Sequence, residues 1–145
     1  YGKRYKNLDK LIRTSDIISL HTPLNKKTQK MVNKSFLEKM KKGSSLINTA
    51  RGKIISSLDL IYKQLKNNKL FCVALDVLPY EPPKKDKFIN EWLRNKEISS
   101  RIIINPHSSY YSVQSYAECR IKASINAQKI LLGKKPDNII YDFRN

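Results

Sequence analysis

Three side chains suited to proton and carboxylate chemistry follow short apolar runs. Arg51 follows Leu46-Ile47-Asn48-Thr49-Ala50, Glu81 lies just past the run 70–77, and His107 follows Ile102-Ile103-Ile104-Asn105-Pro106. Oxidising an alcohol to a ketone by hydride transfer requires a base for the hydroxyl proton, and an imidazole titrating near neutral pH suits that task. His107 can supply it. A carboxylate beside the ring favours its charged form and fixes its orientation, which is the part open to Glu81. A guanidinium can hold a substrate carboxylate and polarise the carbonyl in the reverse direction, the part open to Arg51. Each also has a plain reading: a surface arginine, a polar loop residue before two prolines, a turn histidine. Asp76 divides between capping local N–H groups and contacting a ligand amide, and His21 reads as a packing or loop hydrogen-bonding residue.

These residues work together only if the chain folds to put them at one edge, and its pattern predicts that. Residues 5–14 carry Leu8, Leu11 and Ile12 at helical spacing, and 16–21 form a β-branched run closed by Pro23. Ser35 and Glu38 match a capping box that opens a helix stopped by Gly43. Residues 44–50 read as a second strand and 56–68 as a helix with Leu58, Ile61 and Leu65 on one face. The almost wholly apolar run 70–77 suits a central strand buried on both faces. Residues 80–100 read as a long loop, with Phe88, Trp92 and Leu93 available for a short helical turn, before a fourth strand at 101–105. A second capping box, Ser115 to Glu118, belongs to a helix over 112–132 that Gly133 and Pro136 end. Residues 138–143 read as one more strand or an extended arm. Alternation of this kind implies an α/β domain with a parallel sheet, right-handed crossovers and helices on both faces. His21-Thr22-Pro23, Arg51, Glu81 and His107 then follow four different strands and face one edge, where open α/β sheets bind ligands.

Composition narrows the function classes. No run among the 145 residues is apolar enough to span a membrane, and the basic start lacks the apolar centre of a signal peptide. Cys72 and Cys119 are too few and too isolated for a zinc site or a disulfide framework, so a reducing, cytoplasmic setting is expected. Lys and Arg number 29 against 12 Asp and Glu, a net charge of +17 that could draw the molecule to polyanions. The lysines are spread along the chain, however, and the densest group, between Lys26 and Lys42, reads as a solvated face. Without an aromatic stacking motif or zinc-finger spacing, at most non-specific nucleic acid binding is expected.

Four separate motifs then carry a resemblance. Residues 15–24 (Ser-Asp-Ile-Ile-Ser-Leu-His-Thr-Pro-Leu), Ile47-Asn48-Thr49-Ala50-Arg51-Gly52, Ala74-Leu75-Asp76-Val77 with Glu81-Pro82, and Asn105-Pro106-His107-Ser108 resemble the NAD-binding half of the D-isomer-specific 2-hydroxyacid dehydrogenases. The run from Pro106 to Ser112 is similar, on one segment only, to the branch containing the C-terminal-binding-protein corepressors. The resemblance implies that Arg51 binds substrate, that Glu81 and His107 form the acid/base pair, and that Asp76 contacts the nicotinamide carboxamide. It places Thr22, Pro23, Thr49 and Ala50, together with Arg51 and His107, along the cofactor cleft. It also implies NAD, with NADP not excluded, a small 2-hydroxy or 2-oxo acid substrate, and a homodimer for the full-length enzyme.

The sequence departs from that family at its start. A Gly-x-Gly-x-x-Gly turn, whose N–H groups cradle a pyrophosphate, has no counterpart among Gly2, Gly43, Gly52 and Gly133. The expectation is therefore a partial dinucleotide-binding domain over 1–145, the C-terminal half of a Rossmann-type doubly wound fold lacking the first βαβ unit, with 134–145 as a C-terminal extended arm. The strand at 16–21 would be a bare edge, and the isolated chain would be inactive and bind dinucleotide weakly. Two other classes stand beside the oxidoreductase: a non-catalytic, corepressor-like dinucleotide-binding or interaction module, and a basic nucleic-acid-binding domain.

Overall fold

The computed structural model describes residues 4–84 and 87–139. The chain divides into two compact units, Tyr1–Ser108 and Ser109–Asn145. In the first, β1 (Ile17–Leu20), β2 (Ser44–Asn48), β3 (Leu70–Leu75) and β4 (Ile102–Ile104) form a four-stranded, all-parallel sheet in the spatial order β1-β2-β3-β4. The strands stop one or two residues inside the expected limits. Between them run α1 (Leu8–Thr14), α2 (Lys34–Lys39), a 3₁₀ turn (Gly52–Ile54), α3 (Leu58–Lys66), α4 (Lys87–Arg94) and α5 (Lys96–Ser99).

The register explains the core. Ile18, Leu46, Val73 and Ile102 lie side by side across the sheet, and with Leu20 and Leu75 they join one apolar cluster containing Ile12, Leu37, Ile61, Leu65, Phe88 and Ile98 from the helices. Each helix packs on the next from α1 to α5, so this face is covered by a continuous helical layer. Helix α3 shows why: Leu58, Ile61, Tyr62 and Leu65, spaced on one helical stripe, are all buried. Within this unit the opposite sheet face stays open, with Ile17, Phe71 and Ile103 exposed by 63%, 64% and 61%. The expectation that β3 is buried on both faces is thus corrected. β3 is central, but a bulge opposite Ser44–Leu46 lets Leu70 and Val73 both face the core, leaving Phe71 outside and Cys72 half-buried.

Three local readings change. Asn33, not Ser35, caps α2, its side chain accepting from the Phe36 N–H at 3.1 Å. Ser35 already lies inside the helix, where it cannot act as a cap. Helix α2 also ends before Gly43, whose φ of +79° serves the turn into β2. The stretch read as a long loop holds two helices, because Phe88 and Ile89 bury against the core and Asn95 caps α5.

The second unit is built on α6 (Val113–Leu131), which ends as expected before Gly133 at φ +65°. Its capping box is Ser112 with Ser115, one helical turn earlier than expected, while Glu118 instead pairs with Lys122 at 2.6 Å. Beyond the helix, Asp137 is tied back to Asn126 and Lys129. The expected strand or arm at 138–143 falls mostly outside the described residues. No helix among the described residues is long and apolar enough to cross a membrane.

Candidate active site

The site is built at the carboxyl ends of the strands. After β2 the chain turns sharply, and Asn48, fully buried, holds the turn: its side chain accepts the Ala50 N–H at 3.1 Å and donates to the Arg51 carbonyl at 3.1 Å. The Arg51 guanidinium bonds the Ala50 carbonyl at 2.7 Å. Gly52 then passes against the Leu78–Pro79 backbone, which carries the next part of the site.

Glu81 bridges its own loop and the loop after β4. One carboxylate oxygen, Oε1, accepts the Leu78 N–H at 2.9 Å, and Oε2 lies 2.8 Å from His107 Nδ1. The Leu78 N–H, the largest influence, lowers the Glu81 pKa, and burial, the next largest, opposes it. The bond and charge of His107 lower it further against the Asp76 charge, and the group stays below its ordinary value of 4.5. Because the native value is depressed, this carboxylate contributes its stability in full above pH 4.5 and loses it as pH falls through the lower native value.

His107 takes a left-handed backbone, φ +54°, unusual for a residue other than glycine. Asp76 secures it. The Asp76 carbonyl accepts the His107 N–H at 2.9 Å, and the buried carboxylate accepts the Ser108 N–H at 2.9 Å. The Asp76 carboxylate does cap an N–H group, but one 32 positions along the chain on the loop after β4 and not a local one.

Two clefts meet at this edge. One of about 240 Å³ is lined by Arg51, Glu81 and His107 together with Leu24, Lys53 and Leu78. The other, of about 560 Å³, is lined by His21, Thr22, Pro23, Thr49, Ala50 and Arg51. Arg51 and Leu24 belong to both, so all the expected site residues but Asp76 line one continuous edge. Thr22 lines that second cleft, and its Oγ1 is buried with no hydrogen-bond partner among the described residues. Buried hydroxyls are nearly always satisfied, so an unpaired one in a cleft wall is available to a ligand. His21 bonds Ser19 at 2.8 Å, the loop contact expected of it. No cluster of three metal-ligating side chains occurs among the described residues.

Comparison with known proteins agrees with this architecture. Residues 1–109 match the family described as the NAD binding domain of D-isomer specific 2-hydroxyacid dehydrogenases. The chain belongs to that family. A D-specific alpha-keto acid dehydrogenase of Enterococcus faecium is 36% identical over 117 residues, covering 77% of this chain and 36% of the relative. The NAD-binding domain also superposes on D-mandelate dehydrogenase of Rhodotorula graminis with a TM-score of 0.81 at 29% identity, over 97% of this chain and 38% of that one. D-lactate dehydrogenase of Aquifex aeolicus, complexed with NAD and lactic acid, gives 0.75 at 32% identity, over 90% and 41%. The chain therefore spans about two fifths of the length of these relatives. NAD is the cofactor of the family's domain, and the cleft with its unpaired Thr22 hydroxyl fits a polar ligand there.

Sequence reasoning missed Asn48, Lys53 and Leu24. Asn48 had a signal, a lone amide at the end of an apolar run beside the arginine. Lys53 was one lysine among many, and Leu24 looked like a turn residue.

Proposed function

We propose that this chain is the catalytic edge of a 2-hydroxyacid dehydrogenase, interconverting a 2-hydroxy acid and a 2-oxo acid. The observation carrying the reading is the Glu81–His107 pair at 2.8 Å in the same cleft as Arg51. NAD, or NADP, when bound, supplies or takes up the hydride. Thr22, Pro23, Thr49 and Ala50 line its cleft and Asp76 positions His107 beside it. Arg51 holds the substrate carboxylate in both directions. With Nδ1 engaged by Glu81, His107 uses Nε2: it accepts the hydroxyl proton on oxidation and returns a proton to the carbonyl oxygen on reduction. A homodimeric, cytoplasmic enzyme is part of the same reading, and the charge of +17 supports only non-specific contact with nucleic acid.

The test is NADH or NADPH oxidation by the full-length protein with glyoxylate, pyruvate and hydroxypyruvate as acceptors. Absence of turnover with a broad panel of 2-oxo acids would favour the corepressor-like binding module.

Glu81→Gln is expected to shift the pH profile while retaining part of the activity. The carboxylate attracts the imidazolium more strongly than the neutral ring, so its loss makes the neutral base available at lower pH. Oxidation should then begin at lower pH, and reduction, which needs imidazolium, should fail at lower pH than in the wild type. If kcat/KM profiles in both directions stay where they were, Glu81 is only a loop residue.

A further inference from the structure

Lys53 stands in the wall between two cavities. On one side it lines the cleft of Arg51, Glu81 and His107; on the other it lines an annex of about 430 Å³ with Gln29, Lys30, Ser56, Asp59 and Tyr80, and Pro79 is common to both. The backbone builds this arrangement. The Lys30 N–H donates to the Lys53 carbonyl at 2.9 Å, Lys30 adopts a left-handed φ of +56°, and Val32 pairs with Ile55 just beyond. The two lysines are therefore neighbours by construction, although 23 positions separate them in sequence.

Neither ammonium group has an ion pair among the described residues. Asp59 is the acidic residue on the annex wall, and across the shared wall the Glu81 charge is engaged by His107. Arg51 and Lys53 line one space and Lys53 and Lys30 the adjoining one, with a surplus of positive charge. A monocarboxylate uses only Arg51.

Resting on the dehydrogenase reading, we propose that Lys53, with Lys30, receives a second anionic group of the substrate. The substrate class is then a short 2-oxo acid with a distal carboxylate, its first carboxylate at Arg51 and its second at the mouth of the annex. An ammonium suits this task because it is a compact charge on a flexible stem, able to follow a distal carboxylate that a rigid fork would have to meet at a fixed angle.

Oxaloacetate and pyruvate differ by one carboxylate, which makes them the probes. With the full-length protein and NADH, kcat/KM for oxaloacetate should exceed that for pyruvate, and Lys53→Met should lower this ratio by about tenfold, chiefly through KM for oxaloacetate. Lys53→Arg should keep only part of the ratio, because its fork meets the distal carboxylate at a fixed angle, and Lys30→Met should lower it less than Lys53→Met does. A wild-type preference for pyruvate, or a Lys53→Met effect equal on both substrates, overturns the proposal and leaves the dehydrogenase reading standing. Turnover of apolar 2-oxo acids with none of oxaloacetate does the same. No turnover of any 2-oxo acid overturns both.

Discussion

His107→Ala in the full-length enzyme is expected to lower kcat by about 10²–10⁴-fold in both directions with little change in KM. The proton that His107 handles moves only during the chemical step, so its removal is felt in the transition state and not in substrate binding. Arg51→Ala should behave differently. Its guanidinium meets a carboxylate present in the bound substrate and in the transition state alike, so KM should rise and kcat fall together. Steady-state kinetics with a single 2-oxo acid and saturating NADH separate the two patterns. Near-normal turnover by His107→Ala would remove the acid/base assignment and make the non-catalytic, corepressor-like reading the better one.

The placement of Arg51, Glu81 and His107 at one edge was readable from sequence because each follows an apolar run, and strand ends in a parallel sheet converge there. The contacts that hold them there were not. Nothing local in Asp76 reveals that its carboxylate reaches Ser108, 32 residues away, or that its carbonyl holds the His107 N–H. Such bonds depend on β3 and β4 being neighbours, which is a property of the assembled sheet. The left-handed backbone of His107 is likewise invisible in a histidine.

The helix limits failed for a related reason. Asn33 and Ser35 are both competent caps, and Ser35 with Glu38 satisfies the sequence pattern. What decides between them is where Phe36 and Leu37 must point to become buried, and that places the start of α2 at Lys34. On β3 the apolar run conceals a bulge, and taking the whole run as buried on both faces put Phe71 in the interior. The structure leaves it exposed on the open sheet face, where hydrophobicity alone could not have put it.

Gly52→Ala is expected to damage both stability and catalysis, for reasons of space. A Cβ at this position would lie 1.9 Å from the Leu78 carbonyl oxygen, 2.1 Å from its carbon and 2.6 Å from the Pro79 nitrogen, so the backbone of one loop must move. Forcing a methyl into packed surroundings costs about 1–3 kcal/mol or more. In a chain of this size that corresponds to a Tm fall on the order of 3–10 °C. The moving segment is the one that carries the Leu78 N–H, which anchors Glu81, and Arg51 is the residue next to the substitution. kcat/KM should therefore fall beyond any loss attributable to unfolding. Gly43→Ala provides the contrast. That glycine has open space around its Cβ position but a φ of +79°, so the cost should be a conformational one of about 1–2 kcal/mol with catalysis unchanged in the folded fraction. Thermal melts of the chain, and kinetics of the full-length protein carrying each substitution, check the argument. If Gly52→Ala is as active and as stable as the wild type, the close passage of the arginine turn under the Leu78–Pro79 backbone does not position Glu81 and Arg51.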